Sequence, residues 1–284
     1  MNANTPQNVL TADETAVNLL DLRYGDSPPL QTSAPNAVIE SLLTHRSVRA
    51  FSDAPLPAGT LEWMVAAAQS AATSSNLQCW SLIAIQDPER KARLSVLANN
   101  QAHVRECPLF LVWVADLSRL DRAGERTSIA TDGNRYLEMF LVAAVDAALA
   151  AQNAAAAAES MGLGTVYIGA MRNHPEKVAE ELGLPNNAFG IFGMCVGYPD
   201  PTRPASIKPR LAQPAIVHRE RYSTDTEQQI VAAYDQTMIG FQKSQGMPEA
   251  DWSAQSAKRV GGAGSLSGRD RLGEALKALG FGLE

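Results

Sequence analysis

A three-layer domain of the α/β or α+β class is the fold that this chain predicts, on three observations. Short apolar runs with strand character alternate with amphipathic stretches of helical period. The one long apolar segment, Met139 to Ala158, is interrupted by Asp146, Gln152 and Asn153, so it reads as a buried helix and not a membrane span. A hydrophobic content of 45% over 284 residues is ample for a large core. The pattern leaves the strand order open.

Residues 1–35 hold a short amphipathic piece, TAVNLLDLRYG, and then the Pro/Ser-rich DSPPLQTSAP, and read as an N-terminal arm outside the main fold. Asn36 after Pro35 suits the N-cap of a helix through Thr44, with Val38, Ile39, Leu42 and Leu43 as its inner face. A second helix covers residues 58–72, with Leu61, Met64, Val65 and Ala68 at helical spacing. SLIAIQD and LFLVWVAD read as strands, and PERKARLSVLA between them as a helix that exposes Lys91. The Ala-rich helix follows, from Gly133 to Met161, then a strand at GTVYIGAM, a helix at PEKVAEELGL and a strand at GIFGMCVGYP. From Asp225 the chain is mostly helical, broken by the Gly-rich VGGAGSLSG.

A net charge of −6 argues against general attraction to nucleic acid or to an anionic membrane, so any anion site must be local. Cys79, Cys107 and Cys195 are odd in number and form no C-x-x-C pair, which fits a reducing cytoplasm and speaks against a disulfide framework or a zinc site. The opening MNANTPQNVLTADE lacks the basic start and apolar run of a signal peptide. The four histidines show no metal-ligand spacing, and no Ser/His/Asp order is evident.

Four segments concentrate groups that bind anions or flat polar rings. His45, Arg46, Ser47 and Arg49 gather cations and donors past a helix end; a solvated cationic helix terminus fits them too. Ser74, Ser75 and Asn76 lie between a helix and a strand, where such residues are also ordinary turn formers. The glycines of GLGTVYIGAMRN let backbone N–H groups approach a ligand, or serve packing; they match neither the dinucleotide fingerprint nor the P-loop. Lys208 and Arg210 flank Pro209, which stiffens their backbone, and a surface ion pair is the plainer reading. Together these segments offer anchors without a nucleophile–base pair, an arrangement that suits chemistry carried by a cofactor.

The set HRSVRAF, ATSSNLQCW, NNQAHV, AQNAAAAAESMGLGTVYIGAMRN, IFGMCVGYP and KPRLAQPAIVHRERY, running in that order, resembles the flavin-dependent nitroreductase family, in its branch of oxygen-insensitive NADPH nitroreductases and NADPH–flavin oxidoreductases. The resemblance implies an α+β fold, a central mixed sheet flanked by helices in three layers, within an intertwined homodimer that holds FMN at its interface. It implies an FMN-binding core over residues 36–222 and a helical extension with the nucleotide and substrate loop over 223–284. On the matching positions, FMN would be bound by His45, Arg46, Ser47, Arg49, Ser74, Ser75, Gln101, Tyr167, Ile168, Gly169, Ala170, Arg172, Lys208 and Arg210. A dianionic phosphate suits arginine's forked donors.

The implied activity is that of an FMN-dependent NAD(P)H oxidoreductase that reduces a small-molecule acceptor, a nitroaromatic, a quinone or a flavin, by ping-pong two-electron transfer in the cytoplasm. A flavin-binding or interaction protein without turnover is the alternative. Relatives place several arginines before a tryptophan to hold the 2′-phosphate of NADPH. The corresponding GFQKSQGMPEADW offers only Lys243, beside Glu249 and Asp251, and Arg269 is a second candidate. The expectation is therefore a modest preference for NADPH, or comparable use of NADH.

Overall fold

The computed structural model describes residues 19–25 and 35–284. Most of the expected arm, residues 1–18 and 26–34, lies outside the described residues. Along the chain come α1 (described over residues 19–24), α2 (Ala37–Leu43), α3 (Thr60–Gln69), β1 (Trp80–Ile85), α4 (Pro88–Leu97), α5 (Ala102–Glu106) and β2 (Leu109–Asp116). Then follow α6 (Ser118–Thr127), α7 (Leu137–Ser160), β3 (Gly164–Ile168), α8 (Pro175–Leu182), β4 (Ala188–Gly197), α9 (Glu227–Ser244), α10 (Trp252–Arg259) and α11 (Leu272–Ala278). They fall into two compact units: a helical one, of the residues up to Arg46 with Ser206–Gly261, and a sheet unit of Ser47–Ala205 with Gly262–Glu284.

In the sheet unit the strand order is β1-β2-β4-β3, with every neighbouring pair antiparallel. The mixed character expected of the sheet comes down to one parallel bridge, Ser47 to Thr165. β2 is buried along its whole length, and its alternation sends side chains to two helical layers. Leu109, Leu111 and Trp113 pack with the alanines of α7 and with Met64 and Ala68 of α3. Phe110, Val112 and Val114 meet Leu94, Val104 and Val178 from α4, α5 and α8. The three layers are thus real, and the fold is α+β. At Gly193 a Cβ would lie 2.4 Å from Cζ of the fully buried Phe110, so only glycine lets β4 approach that ring.

α7 forms because alanine costs least in a helix. Its small face, Ala143, Ala147, Ala150, Ala151, Ala154, Ala155 and Ala158, is buried at helical spacing. By length and composition α7 could cross a membrane, but here that face packs on the sheet. The opposite stripe, Leu137, Leu141, Val145 and Leu149, is exposed.

Two expectations fail. Asn36 does cap α2, accepting from the N–H groups of Val38 and Ile39, but the expected inner face is not inner: Val38, Ile39 and Leu42 are 67%, 46% and 47% exposed. Periodicity identifies an apolar side without saying what covers it. Lys91 is also not exposed; its stem is buried in the core and its Nζ donates to the Cys107 carbonyl at 2.6 Å.

In the helical unit, Tyr234 of α9 stands edge-on to Trp252, which opens α10, with ring centres 5.5 Å apart. Asp235 accepts from the Ser253 N–H (2.8 Å) and hydroxyl (2.6 Å), which satisfies donors in the first turn of α10.

Candidate active site

Arg23 organises the cationic segments of the helical unit. Its buried guanidinium donates to the carbonyls of Leu43 (2.7 Å), His45 (3.1 Å) and Lys208 (3.0 Å), while its own carbonyl accepts from the Arg210 N–H (2.8 Å). Tyr234 donates to the Pro209 carbonyl at 2.9 Å. The backbone of Lys208-Pro209-Arg210 is thereby held beside that of His45, although the segments are far apart in sequence. Arg46 is exposed. Nothing in the motif pattern pointed to Arg23, which lies in the segment expected as an arm.

In the sheet unit the serine-rich turn has a conformation its residues rarely adopt. Ser75, Asn76 and Gln78 hold φ values of 48°, 56° and 52°, and no glycine relieves them. Behind the turn sits Asp146 of α7, 2% exposed, accepting from the Thr73 hydroxyl (2.5 Å) and from the N–H groups of Ser74 (3.1 Å) and Cys79 (3.2 Å). Burial, and after it the Asp146 charge, pushes the Cys79 thiol up to about 11, so this cysteine is no nucleophile at neutral pH. The signal for Asp146 was present in the sequence: it is the one ionisable residue between Met139 and Ala158.

The end of β3 supplies a second cluster. Ile168 and Ala170 are buried, with side chains in the core, and Gly169 between them is partly exposed. Where a Cβ on Gly169 would stand, Arg172 Nη2 lies 3.3 Å away and Arg269 Nη1 3.7 Å, two guanidinium groups converging on one bare backbone point. Arg269 donates through Nε to Asn173 Oδ1 at 2.8 Å, and Asn173 Nδ2 is buried without a hydrogen-bond partner. Arg172 donates through Nη1 to the carbonyl of Ile191. That carbonyl is available because β4 carries an extra residue there: Trp113 pairs with Phe192 and Val114 with Gly190, which leaves Ile191 out of the ladder. Burial and then the Arg269 charge hold the Arg172 guanidinium below its ordinary pKa. Tyr167 packs edge-on to Phe192, at 5.2 Å between ring centres, and burial raises its phenol above the ordinary range.

Gln101 precedes α5, with its Oε1 2.9 Å from His103 Nε2. Burial and then the charge of exposed Arg49 lower the His103 pKa, which keeps that imidazole neutral near pH 7. Ser47 makes the bridge to Thr165, and Val48 donates to the Thr165 carbonyl at 2.9 Å, so the segment carrying Arg49 is tied beside β3. Of the nucleotide candidates, Lys243 is exposed on the last turn of α9, within a helix that takes in the first part of the expected loop. Arg271, two residues beyond Arg269, is engaged by Glu176.

Residues 42–198 match the sequence model of the Nitroreductase family, and residues 208–284 match its C-terminal domain. The chain belongs to the nitroreductase family. Among its relatives, the FMN reductase (NADPH) of Bacillus subtilis is 41% identical over 225 residues, 78% of this chain and 90% of that one. The NADPH-flavin oxidoreductase of Vibrio harveyi is 37% identical over 229 residues, 80% of this chain and 92% of that one. The solved NfrA1 nitroreductase of B. subtilis superposes with a TM-score of 0.81 at 38% identity, covering 87% of this chain and all of that one. The nitroreductase match spans the segment from His45 to Arg172, and the C-terminal match takes in Lys208, Arg210, Lys243 and Arg269.

Proposed function

We propose that this nitroreductase-family chain is an FMN-dependent NAD(P)H oxidoreductase that reduces small-molecule acceptors, nitroaromatics, quinones or flavins, in ping-pong order. The observation that carries the reading is its 41% identity, over 78% of its length, to an FMN reductase that uses NADPH. FMN held here would supply the two-electron redox chemistry between nicotinamide and acceptor.

The residues present fit such a group, which combines a dianionic phosphate with a flat ring of polar edges. In the sheet unit, Ser47, Arg49, Ser74, Ser75, Gln101, Tyr167, Ile168, Gly169, Ala170 and Arg172 are our FMN contacts. The bare backbone at Gly169, the Arg172 guanidinium beside it and the orphaned Asn173 Nδ2 support that assignment. In the helical unit the assigned contacts are His45, Arg46, Lys208 and Arg210, supported by the backbone order that Arg23 imposes. We read residues 36–222 as the FMN-binding core and 223–284 as its extension; the two family matches divide earlier, between residues 198 and 208.

Lys243 and Arg269 are the assigned nucleotide contacts. One exposed lysine and one arginine already bonded to Asn173 offer little to chelate a 2′-phosphate, which favours modest selectivity for NADPH. The exposed apolar stripe of α7 supports a homodimer, and three free buried cysteines support a reducing, cytoplasmic setting.

The test is the visible spectrum of the purified protein under anaerobic conditions. The protein should be yellow and should bleach with either nucleotide, with kcat/KM for NADPH over NADH below several hundred, and initial-rate plots against acceptor should be parallel. A yellow protein that neither nucleotide bleaches is a flavin-binding protein without turnover, and intersecting lines would exclude the ping-pong order.

A further inference from the structure

We propose that Asp146 is a positioning residue for the cofactor: from inside α7 it fixes the Thr73–Cys79 turn in the strained form that presents Ser74 and Ser75 to FMN. The inference rests on the FMN reading above.

A carboxylate in the middle of an alanine-rich core helix is costly unless its oxygens are saturated by donors. Both Asp146 oxygens accept hydrogen bonds, and the three donors come from one turn. The carboxylate accepts from Thr73 and Ser74 where the turn begins and from Cys79 where it ends. The Thr73 hydroxyl, held by Asp146, in turn accepts from the Gln78 N–H at 2.9 Å, so hydroxyl and carboxylate close the turn as one network. Between these ends Ser75, Asn76 and Gln78 sit in the left-handed region, and Ser74, Ser75, Asn76 and Gln78 are exposed. Core packing does not account for strain in exposed polar residues, because their side chains bury nothing. Strain that the surrounding structure enforces on a polar turn clusters where ligands are held. The buried carboxylate is what enforces it.

The test compares Asp146→Asn, Thr73→Val and Thr73→Ser with wild type, measuring FMN Kd by fluorescence quenching of the apoprotein and the visible circular dichroism of the bound flavin. Asp146→Asn keeps the shape of the side chain but turns an acceptor into a donor that faces the donors of the turn. Its FMN Kd should rise about tenfold or more, with an altered flavin signal, while far-ultraviolet dichroism stays that of a folded chain. Thr73→Val should shift both readouts the same way by less, and Thr73→Ser, which keeps the hydroxyl, should restore them. Wild-type affinity and flavin dichroism in both Asp146→Asn and Thr73→Val would overturn the proposal and leave Asp146 as a fold anchor. If Asp146→Asn does not fold, the Thr73 pair decides by the same criterion. A wild-type chain with no affinity for FMN overturns the cofactor reading itself, and this inference with it.

Discussion

Arg49 is exposed two positions beyond Ser47, yet its field reaches His103 and helps keep that imidazole neutral. Both effects are open to one substitution. Arg49→Ala should raise the FMN Kd roughly ten- to a hundredfold, the worth of one charge-assisted contact of about 1.5–3 kcal/mol. It should also raise the His103 pKa toward its ordinary value, read from the imidazole resonances by NMR. The fitting control is Lys177→Ala on the exposed side of α8; Lys91 is unsuitable because its buried ammonium group holds the Cys107 carbonyl. Equal FMN affinity in the two variants would return the cluster to a solvated cationic surface. Residues such as Arg49 are legible in a sequence because arginine and histidine crowded into a few positions are uncommon. Arg23 was not, because a single arginine in a short amphipathic piece carries no sign of the three distant carbonyls it will meet.

At the scale of elements, the runs and periods that predict α7, β2 and the three layers are local, and so they could be read directly. Strand order depends on pairing between residues some eighty positions apart, as between Leu111 and Met194, and no local pattern encodes that. The bulge at Ile191, which gives Arg172 its acceptor, was equally invisible, as was a strained turn built without glycine. Gly193 shows how tightly the layers are specified. Gly193→Ala places a methyl against a Phe110 ring that is enclosed on all sides, so it should destabilise the fold by about 1–3 kcal/mol. The urea midpoint measures this, and an unchanged midpoint would mean that β4 can move away from the ring at no cost.

For the whole molecule, the proposed homodimer rests on the exposed leucine and valine stripe of α7. Val145→Glu puts a charge in the middle of that stripe. By light scattering the wild-type chain should have twice the mass of one chain and the variant the mass of one; wild-type mass in the variant would place the interface elsewhere. The strand order has a consequence of another kind, in the making of the protein. β4 is the last strand to leave the ribosome, yet it belongs in the interior of the sheet, and it alone joins β2 to β3. Until residues 188–197 emerge, β2 stands with one edge open and apolar side chains on both faces, while β3 has no strand to pair with. The chain therefore passes through its synthesis with its stickiest segment half-finished, and the period before β4 arrives is when a neighbouring nascent chain, or a chaperone, competes for that edge.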